Sequence, residues 1–221
     1  VDLNADITTR GGTLESSGVN FDITGSSIST SGGLVTINHT GAVTIGADIN
    51  SGVGDAKVIA TGGDIDGGGT ITAGGLTLDA SGGIGIGTAV TANAATFNLS
   101  TSGNGADVII SLVDCGSLIT SLIVGLLTRI SLQAIRLTAT TGDLTVDSAI
   151  GNETDNLTLI SLAGGVAGSA TVTAAALSIT TRGDIGTSLI ALAFDADLLE
   201  TTTNGNGNQY LNELDSVTIG S

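Results

Sequence analysis

Short runs of alternating apolar and polar residues recur along the chain, separated by stretches rich in Gly, Asn and Asp. In a β-strand every second side chain points to the same face, so this alternation predicts short strands with one buried face. Residues 76–95 predict three such strands. The side chains that we expect to point inward are Leu76, Leu78, Ile84, Ile86, Val90 and Ala92.

The same pattern repeats at a nearly constant interval. Segments 76–95, 157–176 and 177–196 read LTLDASGGIGIGTAVTANAA, LTLISLAGGVAGSATVTAAA and LSITTRGDIGTSLIALAFDA. One glycine marks each repeat, and these anchors are Gly41, Gly62, Gly82, Gly103, Gly142, Gly164, Gly183 and Gly205. Neighbouring anchors are separated by nearly equal steps, except for the step from Gly103 to Gly142, which is about twice as long and which we count as two periods. The period is therefore about 20 residues, which corresponds to about eleven repeats.

A unit of this size cannot bury its apolar face alone, whereas stacked coils can. We therefore predict an all-β fold, a parallel β-helix or β-solenoid of about eleven coils, in which each strand pairs with its equivalent in the next coil. Gly and Asn are expected to supply the positive φ that the corners need. Residues 1–221 are predicted to form one domain, as a module of a longer array.

Residues 108–137 are predicted to form atypical apolar coils, because the regular glycine punctuation is missing there. The most apolar part, residues 115–128, reads CGSLITSLIVGLLT. It is shorter than the about 20 residues that a membrane-spanning helix needs. We therefore expect a buried strand at this place and no membrane insertion.

Two other folds share part of the pattern. A leucine-rich repeat has a similar period, but it requires the motif L-x-x-L-x-L-x-x-N with a helix or turn behind it. The sequence contains no such asparagine ladder and little helical periodicity. A β-sandwich with hairpin turns stays open as an alternative.

Composition narrows the functional classes. The chain has 5 Lys and Arg against 21 Asp and Glu, a formal net charge of −16, which excludes nucleic acids and anionic membrane surfaces as partners. Proline is absent, as expected of stacked strands in which each N–H is needed for pairing. The aromatic residues are Phe21, Phe97, Phe194 and Tyr210. They are too few for an ordinary globular core, so we expect a narrow core of aliphatic side chains.

Several segments resemble the repeats of very large bacterial surface proteins. These segments are VDLNADITTRGG (residues 1–12), LTATTGDLTVDSAIGN (137–152), LTLISLAGG (157–165) and IGTSLIALAFDADLLETTTNGNGNQYLNELDSVTIGS (185–221). They look like the repeats of filamentous-haemagglutinin-like exoproteins and related giant adhesin-like proteins. The resemblance implies an exported, right-handed β-helix that forms a stalk, a fibre or an adhesive surface.

Candidate catalytic groups are few. His39 and Cys115 are the only residues of their types, and three to four coils, about 15 to 19 Å, would separate them along the solenoid. We therefore expect no Cys–His dyad, a solvated His39 at a corner, and a buried Cys115. Asp64 and Asp66 share one face of a strand, where paired carboxylates could act on a polysaccharide. The simpler interpretation is a polar, solvent-facing strand.

Calcium is the one cofactor that the sequence leaves open, with Asp64 and Asp66 as weak candidate ligands, since Asp-rich and Asn-rich turns offer hard oxygen atoms. The calcium-binding nonapeptide of some β-helices is not matched, and neither is an EF-hand loop. No other cofactor is expected.

Taken together, these features predict a non-enzymatic, extracellular or cell-surface protein with a structural or adhesive role. Its partners would be neighbouring repeats of the same chain, or a second copy joined end to end into a filament, and host or environmental glycans. A polysaccharide-active β-helix enzyme and a calcium-stabilised carbohydrate-binding module are the alternatives.

Overall fold

The computed structural model describes residues 1–102, 107–112, 118–124, 134–140, 142–146 and 149–220. These residues form strands and no helix. The strands are β1 Ile7–Thr8, β2 Leu14–Gly18, β3 Phe21–Asp22, β4 Ile28–Ser29, β5 Val35–His39, β6 Val43–Thr44, β7 Ile49–Asn50, β8 Ala56–Ala60, β9 Ile65–Asp66, β10 Thr70–Ala80, β11 Val90–Thr101, β12 Val108–Leu112, β13 Leu118–Val124, β14 Ala134–Ala139, β15 Leu144–Val146, β16 Ile150–Ser161, β17 Val166–Ala167, β18 Val172–Thr181, β19 Leu192–Thr203, β20 Leu211–Glu213 and β21 Thr218–Ile219.

Strands pair in parallel with their equivalents one coil later. Ile7 lies beside Ile28, Ile28 beside Ile49, and Ile49 beside Ile71. A second column runs through Leu14, Val35, Ala56, Leu76 and Phe97. Residues about one sequence period apart are thus vertical neighbours, which confirms the predicted parallel β-solenoid.

The number of coils is smaller than predicted. Nine steps of one ladder lead from Ile7 to Thr203, so the chain makes about nine turns instead of about eleven. Most steps of this ladder have nearly the same length, but the step from Leu112 to Ala139 is clearly longer than the others. The longer coil falls within the glycine gap that the sequence pattern divides into two short periods, and it accounts for part of the difference.

The core is a narrow column of aliphatic side chains that includes three buried phenylalanines, Phe21, Phe97 and Phe194. Five of the six side chains predicted to point inward between residues 76 and 95 are fully buried, but Ile86 is 46% exposed. Gly85 has a φ of +71° and turns the chain directly after the buried Ile84. The turn ends the alternation that the prediction extended to Ile86.

Glycines provide most of the positive φ values in the described part of the chain, as predicted, but no asparagine does, and most of the glycine anchors have another role. Among the anchors in the described part of the chain, only Gly142 has a positive φ, of +70°. The others lie where neighbouring coils leave no room for a side chain. A Cβ on Gly183, for example, would lie 3.0 Å from backbone atoms of Gly164 and Gly165 in the preceding coil. Close approach between coils therefore requires these glycines, and other glycines, together with Arg10 and Ser31, provide the left-handed corners.

The apolar stretch continues the solenoid wherever it is described. Strands β12, β13 and β14 lie in this stretch and pair in parallel with strands of the neighbouring coils. Cys115 lies outside the described residues, so its predicted burial stays a prediction. Within the described ranges no helix is long and apolar enough to cross a membrane.

Candidate functional site

Asp64 and Asp66 lie on either side of the buried Ile65, on the outward face of the coil, as the alternation predicts. Asp64 Oδ1 accepts a hydrogen bond of 2.7 Å from the backbone N–H of Gly83. Asp66 Oδ1 accepts hydrogen bonds of 3.0 Å from the N–H groups of Gly87 and Thr88. Both carboxylates thus bind the backbone of the next coil.

This arrangement recurs along the solenoid. The backbone N–H groups of Ser27, Thr70, Gly75 and Gly165 each donate to an aspartate about one coil earlier in the chain, at 2.7 to 3.0 Å. The aspartates concerned are Asp6, Asp48, Asp55 and Asp143. Backbone N–H groups at corners and in β10 are bound to the preceding coil in this way. The sequence reasoning missed this pattern, although an Asp one period before a Gly-rich or Ser-rich corner is a signal that could have revealed it.

His39 is fully buried at the end of β5, which corrects the predicted solvated corner. Its Nε2 atom lies 3.0 Å from the hydroxyl oxygen of Ser16 in the preceding coil, and its ring centroid lies 5.2 Å from that of Phe21. The alternation through Val35 and Ile37 continues to His39 and already points it inward. The prediction was wrong because it gave more weight to the Thr-Gly pair that follows.

The contact between Ser16 and His39 does not form a catalytic triad. A serine nucleophile needs an accessible histidine base, which a third group orients through the other ring nitrogen. The His39 ring is buried, and its Nδ1 atom has no hydrogen-bond partner among the described residues. The histidine side chain is thus part of the core.

Burial lowers the pKa of His39 below its ordinary value of 6.5. Since the unfolded chain then binds a proton more readily than the native state, we expect the free energy of unfolding to decrease as the pH falls below 6.5. The free energy of unfolding changes by at most about 1.4 kcal/mol per pH unit, and the change ends once the pH falls below the pKa of His39 in the folded state. Urea unfolding followed by circular dichroism between pH 8 and the acid range measures this loss.

The variant His39→Leu keeps an apolar group in the core and is expected to remove this slope. The carboxyls of Asp6 and Asp22 do not interfere, because hydrogen bonds from Ser27 and Thr24 lower their pKa values below 3.8. The stability that these two groups add is present above pH 3.8 and is lost only as the pH falls through their folded pKa values. Equal slopes for His39→Leu and the unmodified chain would contradict the assignment.

A second group of acidic residues lies near the last coil. Asp195, Glu213 and Asp215 each offer one carboxylate oxygen, and these three atoms lie within 4.8 Å of one another. The sequence reasoning did not find this group, because only the pairing of β20 with β19 brings Glu213 next to Asp195. Asp64 and Asp66, the predicted calcium ligands, do not belong to it.

The surface also has shallow depressions. One of them, of about 250 Å³, is lined by residues that include Leu34, Lys57, Thr77 and Asn98. Small-molecule sites usually measure about 300 to 1,000 Å³, so this depression is smaller than a typical binding pocket.

Comparisons of the chain with protein-family models, with curated proteins and with solved structures found no match.

Proposed function

We propose that this chain is a structural or adhesive module of an exported surface stalk or fibre, without enzymatic activity. The observation that carries the proposal is the use of its aspartates, whose carboxylates bind backbone N–H groups of the following coil at successive corners. Each such bond crosses between coils, in addition to the parallel strand pairing. Acidic side chains that would otherwise be candidates for catalysis or recognition thus hold the solenoid together along its axis.

Composition and resemblance support the same proposal. The segments that resemble filamentous-haemagglutinin-like and giant adhesin-like repeats lie at residues 1–12 and between residues 137 and 221. A net charge of −16 disfavours lateral clumping of separate solenoids. The few Lys and Arg residues leave few cleavage sites for trypsin-like proteases outside a cell.

Assembly would extend the ladder that is already present. The strands of a terminal coil can pair with further coils, either of the same longer chain or of a second copy placed end to end. A contact of this heterologous kind generates an open filament. Glycans on a host or in the environment are the proposed adhesion targets.

Immunogold labelling of intact cells of the source organism tests the location and the fibre. We expect gold particles along surface filaments without permeabilisation, and loss of the signal after treatment of whole cells with a protease that does not require Lys or Arg at the cleavage site. A cytoplasmic marker provides the control for intact cells. Labelling that appears only after permeabilisation would overturn the proposal.

A polysaccharide-active enzyme is the second candidate, favoured by the position of Asp64 and Asp66 on one outward face. Incubation with acidic glycans, followed by an assay for new reducing ends, distinguishes the two functions. The structural proposal expects no new ends with the unmodified chain. New ends that disappear in Asp64→Asn or Asp66→Asn would establish the enzyme instead.

A further inference from the structure

Glu213 occupies a position in the solenoid that apolar side chains fill in the preceding coils. The register places Ile150 beside Val172, Val172 beside Phe194, and Phe194 beside Glu213. The first three members of this column are at most 2% exposed and belong to the core. A carboxylate therefore follows a series of core side chains at the last step of the ladder.

The carboxylate of Glu213 lacks the partners that a buried charge requires. Both of its oxygens are buried and have no hydrogen-bond partner in the described part of the chain, while the exposure that the residue retains lies at its other atoms. The other two carboxylates of the group, those of Asp195 and Asp215, approach to within 4.8 Å and add like charge. A buried carboxylate without a compensating partner is energetically unfavourable, and like charges nearby add to the unfavourable energy.

We propose that Asp195, Glu213 and Asp215 bind a divalent cation of the calcium type. A cation between the three carboxylates supplies the missing partner of Glu213 and cancels their repulsion. Ca²⁺ binds oxygen ligands at about 2.3 to 2.6 Å, so oxygens on opposite sides of the ion lie about 4.6 to 5.2 Å apart. Carboxylate oxygens that all lie within 4.8 Å of one another are close enough to bind one such ion together.

The chemistry of the three ligands also separates calcium from other ions. Mg²⁺ demands a near-ideal octahedral geometry, keeps several of its water molecules and is usually bound by one or two carboxylates, not three. Zn²⁺ favours Cys and His ligands, and this group contains only carboxylates. Water molecules would complete the coordination of Ca²⁺, which takes six to eight oxygens.

Terbium luminescence and thermal unfolding test the site with the full chain. Tyr210, the only tyrosine in a chain without tryptophan, precedes Glu213 by three residues and can sensitise a bound Tb³⁺ ion. We expect a Tb³⁺ signal that Ca²⁺ displaces at lower concentration than Mg²⁺. Calcium at a hundredfold excess over its Kd is expected to raise the Tm by about 5 to 10 °C, and EGTA is expected to reverse the rise.

Charge-removing variants distinguish this site from diffuse cation binding. Glu213→Gln is expected to lose the luminescence and the calcium-dependent rise in Tm, and to melt at a higher temperature than the unmodified chain in EGTA because the repulsion is relieved. Asp197→Asn, on an exposed residue of the same strand as Asp195, removes the same charge and is expected to keep both responses. Absence of a calcium effect in the unmodified chain, or an equal effect in Glu213→Gln, would overturn the proposal.

Discussion

The variant Leu78→Asp is expected to unfold the solenoid. Leu78 is fully buried and lies in the ladder between Val58 of the preceding coil and Leu99 of the following coil. A carboxylate at this position has an apolar neighbour above and below. Because an unpaired charge in a core is among the few changes that cost more than about 4 kcal/mol, the variant should lose most of its stability.

A matched variant on the same strand isolates the effect of burial. Thr77→Asp introduces the same side chain one residue earlier, on the outward face, beside Lys57. We expect its free energy of unfolding to change by no more than about 0.5 kcal/mol. Urea unfolding followed by circular dichroism measures the stability of both variants. If Leu78→Asp does not fold, Leu78→Ala is measured instead, with an expected loss of about 2 to 5 kcal/mol in the free energy of unfolding. Equal tolerance of Leu78→Asp and Thr77→Asp would show that Leu78 is not a core position.

The contrast between Leu78 and Thr77 also shows why the fold could be predicted from the sequence. Alternation reports which face of a strand is buried, and a constant period reports which residues become vertical neighbours. Both follow from backbone geometry, and both can be recognised from the spacing of apolar residues in the sequence. The parallel solenoid and five of the six predicted inward positions between residues 76 and 95 follow from them.

Corners were harder to predict because their geometry depends on the neighbouring coil. The alternation at Ile86 fails because Gly85 turns the chain, and the coil count fails in part because the coil from Leu112 to Ala139 is longer than the others. The hydrogen bond from the N–H of Gly83 to Asp64 joins residues in two successive coils. The sequence around either residue alone therefore does not indicate this contact. Such contacts become predictable only once the register of the coils is known.

The acidic group near the last coil depends on the register in the same way. Asp195 and Glu213 lie almost one coil apart in the sequence, and neither belongs to a recognised ligand motif. Only the pairing of Phe194 with Glu213 shows that a carboxylate has taken a core position. The candidate site that the sequence suggested, Asp64 and Asp66, was visible because its two residues lie two positions apart on one strand.

The variant Gly69→Ala is expected to destabilise the solenoid by about 2 to 3 kcal/mol through a clash between coils. Gly69 is buried and donates a hydrogen bond of 2.8 Å to the carbonyl oxygen of Ile45 in the preceding coil. A Cβ at this position would lie 2.5 Å from the carbonyl carbon of Ala47 and 2.9 Å from its nitrogen. These are backbone atoms of a stacked coil, which can move only if neighbouring coils move too, so the Tm is expected to fall by about 5 to 10 °C.

The preceding glycine offers a control that differs by one position. A Cβ on Gly68 would meet only the Cγ2 atom of Thr88, at 3.5 Å, an ordinary van der Waals contact, and Gly68 does not have a positive φ. Gly68→Ala therefore adds the same methyl group without a clash and is expected to stabilise the chain by about 0.4 to 1 kcal/mol, because the unfolded state loses conformational freedom. Thermal unfolding by circular dichroism measures both variants. Equal melting temperatures for Gly69→Ala and Gly68→Ala would contradict the close packing of neighbouring coils at Gly69.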